Sequence, residues 1–260
     1  MAVLALLLGV GGGQAVPLPG LALPDTSPPA TLRSQHDSSI TLVGLGDSVT
    51  AGSHCNCAGY VADLATILSR TNGASVADFN LGQDGQTSGG LLAALTADQP
   101  QVAPVAAAGL VVITIGANDF DSEMSAMRAG TCGKDLHCTE GTLAAMQHNV
   151  ESIIDRIRDL RAGGSVTIEV TGYWNVFEDG AVARADYPPT LRSTSDLLTR
   201  RVNAALSTVC AERHVRYVDL YAPFKGADGD ADDTKLLASD GDHPNAAGHE
   251  AIARLLAAAS

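Results

Sequence analysis

Between Ile40 and Ala258, short apolar runs alternate with stretches of helical period. A chain patterned this way has few folds open to it. Ile40 to Leu45, ended by Gly46, reads as a strand. Leu110 to Ile115 is β-branched and apolar throughout, the mark of a strand covered on both faces. Val166 to Thr171 and Val215 to Leu220 read as further strands, and Val76 to Leu81 as a weaker one. Helices fall between them. Val61, Leu64 and Leu68 have helical spacing within Tyr60 to Arg70, and Gly89 to Thr96 forms a short helix. Leu143, Met146, Val150, Ile153, Ile157 and Leu160 step by three and four, up to a stop at Gly163-Gly164. Leu197, Leu198, Val202, Leu206 and Val209 mark another helix, and Ala246 to Ala258 a terminal one with Asn245 near its start. Such alternation demands a parallel sheet with helices on both faces. Five strands suit the flavodoxin-like order 2-1-3-4-5, a three-layer α/β fold.

Composition narrows the partners. Of 260 residues 45% are apolar, too many for intrinsic disorder. No interior apolar run approaches the ~20 residues of a membrane span, so stable membrane insertion is not expected. The net charge is -13, and Lys134, Lys225 and Lys235 are the only lysines. Such a surface repels phosphate backbones, which argues against nucleic acid. At the N-terminus, Ala2 to Val10 has the length of a signal-peptide apolar region, and Gly13-Gln14-Ala15 offers a small-x-small cleavage site. Residues 1–15 therefore read as a signal peptide. No Lys or Arg precedes the run, as would follow from a start placed too far downstream. Residues 16–39 hold five of the 11 prolines and read as an extended linker, leaving 40–260 as the domain.

In open parallel sheets ligands bind outside the carboxyl ends of the strands. Four short constellations are expected there. Gly46-Asp47-Ser48 follows the first strand, where a turn into a helix aims free N–H groups at the Ser48 side chain. Asn80-Leu81-Gly82-Gln83-Asp84-Gly85-Gln86-Thr87 follows the second, with glycines that let a ligand approach the backbone. Gly116-Ala117-Asn118-Asp119 follows the strongest strand, and Asn118 offers an amide donor. Asp240-Gly241-Asp242-His243 precedes the last helix, and a loop can fold this spacing so that Asp240 orients the His243 imidazole. Taken singly each is an ordinary cap or loop. Together they supply a nucleophile, a base, an orienter and oxyanion donors, in the known chain order Ser, Asp, His.

These blocks resemble the GDSL or SGNH hydrolases, whose pattern is a GDS, a loop glycine, a GxND and a DxxH. The resemblance spans about residues 40 to 258, and the text around Gly172 to Phe177 looks like secreted actinobacterial members. It implies a secreted serine esterase or lipase working through an acyl-enzyme. Ser48, His243 and Asp240 would form the triad, and Ser48, Gly85 and Asn118 the oxyanion hole, with no cofactor or metal. Gly85 is preferred to Gly82 because the family block reads N-x-G-x-x-G-x-T, with the second glycine as donor. Asp47 is not the triad acid in this reading and should turn to loop backbone. The expected substrate is an ester of a lipid or an acylated carbohydrate, and the expected state a monomer. An acyltransferase on the same site, or a non-catalytic carbohydrate- or lipid-binding module, are the rival readings.

Five cysteines suit disulfides in a secreted chain. Cys132 and Cys138 are the most plausible pair. Cys55 and Cys57 either pair with each other, or one of them pairs with Cys210. His54, Cys55, Cys57, Cys132, His137 and Cys138 are also zinc-ligand types, though their spacing is not that of a finger. Asp228 to Asp233 resembles the start of a calcium loop but lacks the glycine and glutamate it needs, so a solvated loop is expected. Tyr173, Trp174, Val176 and Phe177 either line an acyl pocket or are simply packed.

Overall fold

The computed structural model describes residues 39–97, 102–175 and 177–260. The expected signal peptide, the expected linker up to Ser38, and Val176 lie outside the described residues.

The chain runs β1 (Ile40–Gly46), α1 (Ser48–Ala51), α2 (Gly59–Asn72), β2 (Val76–Gly82), α3 (Ser88–Thr96), α4 (Ala103–Ala107), β3 (Leu110–Thr114), α5 (Asp121–Arg128), α6 (Glu140–Leu160), β4 (Thr167–Thr171), α7 (Gly180–Asp186), α8 (Pro189–Glu212), β5 (Arg216–Val218), α9 (Tyr221–Lys225) and α10 (Ala246–Ala259). The five strands form one parallel sheet in the order β2-β1-β3-β4-β5. This is the order read from the sequence. Every residue of β3 is buried, as a central strand covered on both faces requires. The weaker strand β2 lies at one edge, with Phe79 41% exposed. β5 at the other edge is shorter than its apolar run, since only Arg216 to Val218 finds a partner in β4.

Two helix groups cover the sheet. α2 packs with α10, while α3 packs with α6 and α6 with α8. The stripe Met146, Val150, Ile153 and Ile157 of α6 is fully buried. α8 begins at Pro189, eight residues before the first apolar residue of its stripe, because its first turns follow a proline at the N-terminus and carry mostly polar residues. The short helices α4, α5, α7 and α9 carry no long apolar stripe and escaped the periodicity reading.

Register places the carboxyl ends of β1, β2 and β3 level with one another. Gly46 pairs with Gly82 of β2 on one side and with Thr114 of β3 on the other. A Cβ at Gly46 would stand 1.9 Å from the Thr114 carbonyl oxygen, so only glycine fits where β1 turns out of the sheet. Below these ends, the hydroxyls of Thr50, Tyr60, Thr114 and Thr171 form a buried hydrogen-bonded chain across the sheet, with steps of 2.8 to 3.1 Å. Each polar group buried there finds a partner, which makes the burial tolerable.

Candidate active site

Ser48 is the first residue of α1, immediately after the carboxyl end of β1. Asp47 caps the helix by accepting from the Val49 N–H at 3.0 Å. Its partner is thus helix backbone, where the sequence reading expected loop backbone. Its other carboxyl oxygen accepts from the Tyr173 hydroxyl, a partner the sequence does not announce. Asp47 is 1% exposed. Burial pushes its pKa up to about 7, although the Tyr173 and Val49 bonds pull the other way, and Asp242 and His243 are close enough for their charges to act on it. Ser48 itself is half-buried. Among the described residues its backbone N–H has no partner, as expected of the first helical position.

The second block is fastened to α1. Asn80 donates to the Thr50 carbonyl at 2.7 Å and accepts from the Gly82 N–H at 3.0 Å. Its two glycines then do different things. A Cβ on Gly82 would stand 2.3 Å from the Ala51 nitrogen, so Gly82 lets β2 pass α1 at close range. Gly85 sits at φ +69° in open space, and its N–H has no partner among the described residues. The Asn118 amide reaches across and donates to the Gln86 carbonyl at 3.0 Å. Its NH₂ group keeps a second hydrogen for a ligand. Asp119 beside it accepts from the backbone and hydroxyl of Ser88, anchoring the first turn of α3. Blocks one, two and three therefore meet at one edge of the sheet.

The fourth block is a tight turn leading to α10. The Ala238 N–H donates to the His243 carbonyl at 2.7 Å, and Asn245 caps α10 through the N–H groups of Ala247 and Gly248. Asp240 Oδ2 lies 2.9 Å from His243 Nδ1, and Oδ1 accepts from the N–H groups of Asp242 and His243, each at 3.1 Å. Partial burial opposes the charged form of Asp240. The two backbone bonds and the His243 ring outweigh it and hold the carboxyl below its usual range. A carboxylate can only accept, so His243 Nδ1 is the donor. The neutral ring then presents a bare Nε2, free to take a proton. Of the expected set, the structure thus joins Asp240 to His243 and Asn118 to the Gly85-Gln86 loop, and sets Ser48 directly after the Asp47 cap.

One residue sequence reasoning did not place here is His54. Its Nδ1 lies 3.2 Å from the same Asp240 Oδ2, and its ring stacks on His243 with centroids 4.7 Å apart. No local pattern signals a contact between residues so far apart in the chain. The cysteines divide as Cys55–Cys57 and Cys132–Cys138, leaving Cys210 buried and free. Cys210 is therefore not a partner for Cys55 or Cys57, and the cysteines drop out of the zinc-ligand set. The acidic loop also departs from expectation at one end. Asp233 is 1% exposed and lies 3.8 Å from the half-buried Lys225 ammonium, and Asp232 pairs with Arg184 at 2.9 Å. Only Asp228 and Asp230 to Asp232 are exposed.

Tyr173 and Trp174 are each 1% exposed, and Trp174 stacks on Phe224 at 4.7 Å. They are core residues rather than a pocket wall. Two concavities adjoin the blocks. A pocket of about 400 Å³ is lined by Asp121, Met124, Ser125, Arg128, Phe177, Glu178 and Asp242. An apolar groove of about 260 Å³ runs past Gly82 and Gln86, with Leu45, Leu81, Leu91 and Leu95 in its wall.

The family model of GDSL-like lipases and acylhydrolases matches residues 45–251. Among solved structures, the lipase Lip_vut3 from a goat rumen metagenome superposes with a TM-score of 0.66 at 19% identity, over 85% of this chain and 97% of that one. A lipase/acylhydrolase from Enterococcus faecalis gives 0.56 at 20% identity, over 85% and 94%. A catalytic mutant of an acetylxylan esterase from Geobacillus stearothermophilus gives 0.58 at 20% identity, over 84% and 92%. At such identities the likeness to these structures speaks for the fold. No curated protein matches the chain significantly in sequence.

Proposed function

The chain belongs to the GDSL-like lipase/acylhydrolase family, the carboxylic ester hydrolases, and we propose that it cleaves its esters with Ser48, His243 and Asp240 through an acyl-enzyme. The observation that carries this is the Asp240–His243 pair. A donor Nδ1 held at 2.9 Å leaves Nε2 as the base. Ser48 attacks the ester carbonyl while Nε2 takes its proton. The tetrahedral oxyanion is met by the N–H groups of Ser48 and Gly85 and by the spare Asn118 hydrogen. The imidazolium then protonates the departing alcohol. Water, deprotonated by the same nitrogen, releases the acid. The Asp240 carboxylate stabilises the imidazolium in both halves.

The pocket beside Asp242 favours a small acyl group on a polar alcohol, since carboxylates and Arg128 in its wall suit hydroxyls better than a hydrocarbon chain. The groove past Gln86 supports a second reading, a longer acyl chain laid along Leu81, Leu91 and Leu95. An alcohol reaching the acyl-enzyme before water would make the protein a transferase. Secretion is part of the proposal, on the strength of residues 1–15 and of the paired cysteines.

The test is hydrolysis of p-nitrophenyl esters, acetyl through palmitoyl, by wild type and Ser48→Ala. A rate highest on acetyl and reduced at least ~10⁴-fold by the substitution is expected. A maximum at long chains would select the groove. Activity that survives Ser48→Ala would overturn the nucleophile.

A further inference from the structure

His54, Asp240 and His243 each bring one ligand atom into a space where all three lie within 4.8 Å of one another. We propose that these residues form a binding site for a borderline divalent cation, Zn²⁺ or Cu²⁺, and that filling it switches the hydrolase off. The switching-off rests on the triad proposed above; the site itself does not.

The two imidazoles are nearly parallel, inclined by 18°. Both aim Nδ1 at Asp240 Oδ2, at 3.2 and 2.9 Å. Asp242 adds a carboxylate oxygen 3.8 Å from His243 Nδ1, deepening the negative potential there. Two imidazole nitrogens and a carboxylate oxygen are a donor set that zinc and copper take, with positions left for water, whereas magnesium and calcium prefer oxygen alone. The route in is short, since the His54 side chain is 60% exposed. His54 also sits beside the Cys55–Cys57 disulfide and has φ +60°, so its backbone is held where the ring meets His243.

Occupancy changes the chemistry at the far nitrogen. A metal on His243 Nδ1 needs the lone pair now masked by a proton. That proton passes through solvent to Nε2, so the ring stays neutral and no net proton is released. Nε2–H is then a donor and cannot take the Ser48 proton. The metal also takes over the Asp240 oxygen that orients the ring.

The test is calorimetric titration of ZnCl₂ into the full chain in a non-chelating buffer, beside ester hydrolysis under the same conditions. The variants are His54→Asn, which tolerates positive φ and lacks an imidazole, and His137→Ala, a control for an exposed histidine flanked by Asp135 and Glu140. One Zn²⁺ should bind wild type and His137→Ala alike, and the hydrolysis rate should fall in step with occupancy. His54→Asn should bind at least ~10-fold more weakly, and whatever rate it keeps in chelator should no longer fall when Zn²⁺ is added at the wild-type inhibitory concentration. Millimolar Mg²⁺ should do nothing. Binding that is indifferent to His54, or lost in His137→Ala instead, would overturn the site. Binding that needs His54 but leaves the rate untouched would overturn the inhibition. If no ester is turned over at all, the triad reading fails, and the isotherms still decide the site.

Discussion

The Tyr173 hydroxyl donates to the carboxyl of Asp47, 126 residues away in the chain and one residue before Ser48. Both groups are buried, and Asn203 holds Tyr173 in place by bonding its backbone N–H and carbonyl at 2.9 and 2.8 Å. The loop bearing Ser48 is thereby pinned to the end of β4. Tyr173→Phe leaves a buried carboxyl oxygen without its donor. A loss of about 1–3 kcal/mol in stability is expected. Denaturant unfolding checks it, and an unchanged midpoint would mean that the bond contributes nothing.

Asp47 makes stability depend on pH in a stated direction. An unfolded aspartate titrates near ~3.9, and folding raises Asp47 to about 7. Between these values the native state holds more protons than the unfolded one, so stability falls as pH rises through the window and is level above it. Asp47→Asn removes that slope. The drop in Tm from pH 5 to pH 8 should shrink by about 2–4 °C for each kcal/mol involved. Asp233, also pushed up to about 7, is common to both proteins and drops out of the comparison. Equal pH slopes in both would show that Asp47 is ionised throughout.

The two loop glycines should respond differently to alanine. Gly82→Ala drives a Cβ to 2.3 Å from the Ala51 nitrogen, and α1 must move with Ser48 on it. A cost of about 1–3 kcal/mol is expected, together with loss of activity. Gly85→Ala has room around it and meets only the strain of φ +69°, about 1–2 kcal/mol. Thermal melts check both costs, and ester hydrolysis checks that Gly82→Ala is the variant that displaces Ser48.

Asn118→Ala removes one of the proposed oxyanion donors and also the bond to the Gln86 carbonyl. A fall of about 10²–10³-fold in kcat is expected, larger than any rise in KM. An unaltered kcat would take Asn118 out of the oxyanion hole.

Asp240→Asn keeps the shape of the turn but loses the charge that fixes the His243 tautomer. If Ser48, His243 and Asp240 act as the proposed triad, kcat should fall on the order of 10⁴-fold with little change in melting temperature. Steady-state kinetics with the acetyl ester measure this.

The sequence by itself determined the layered sheet, its strand order and the four blocks. Apolar period reports which face of an element is buried, and strand–helix alternation leaves one hand and one sense of sheet. Asp240 and His243 were legible as a pair because their partnership closes within three residues. The tertiary structure alone decided what lies across the chain. It brought His54 onto His243 and Tyr173 onto Asp47, buried Asp233, and chose among the pairings the sequence had left open for Cys55, Cys57 and Cys210. Polar partnerships of this kind leave no period in the chain. They depend on strand register, such as Gly46 lying level with both Gly82 and Thr114, and register is set by the whole sheet at once.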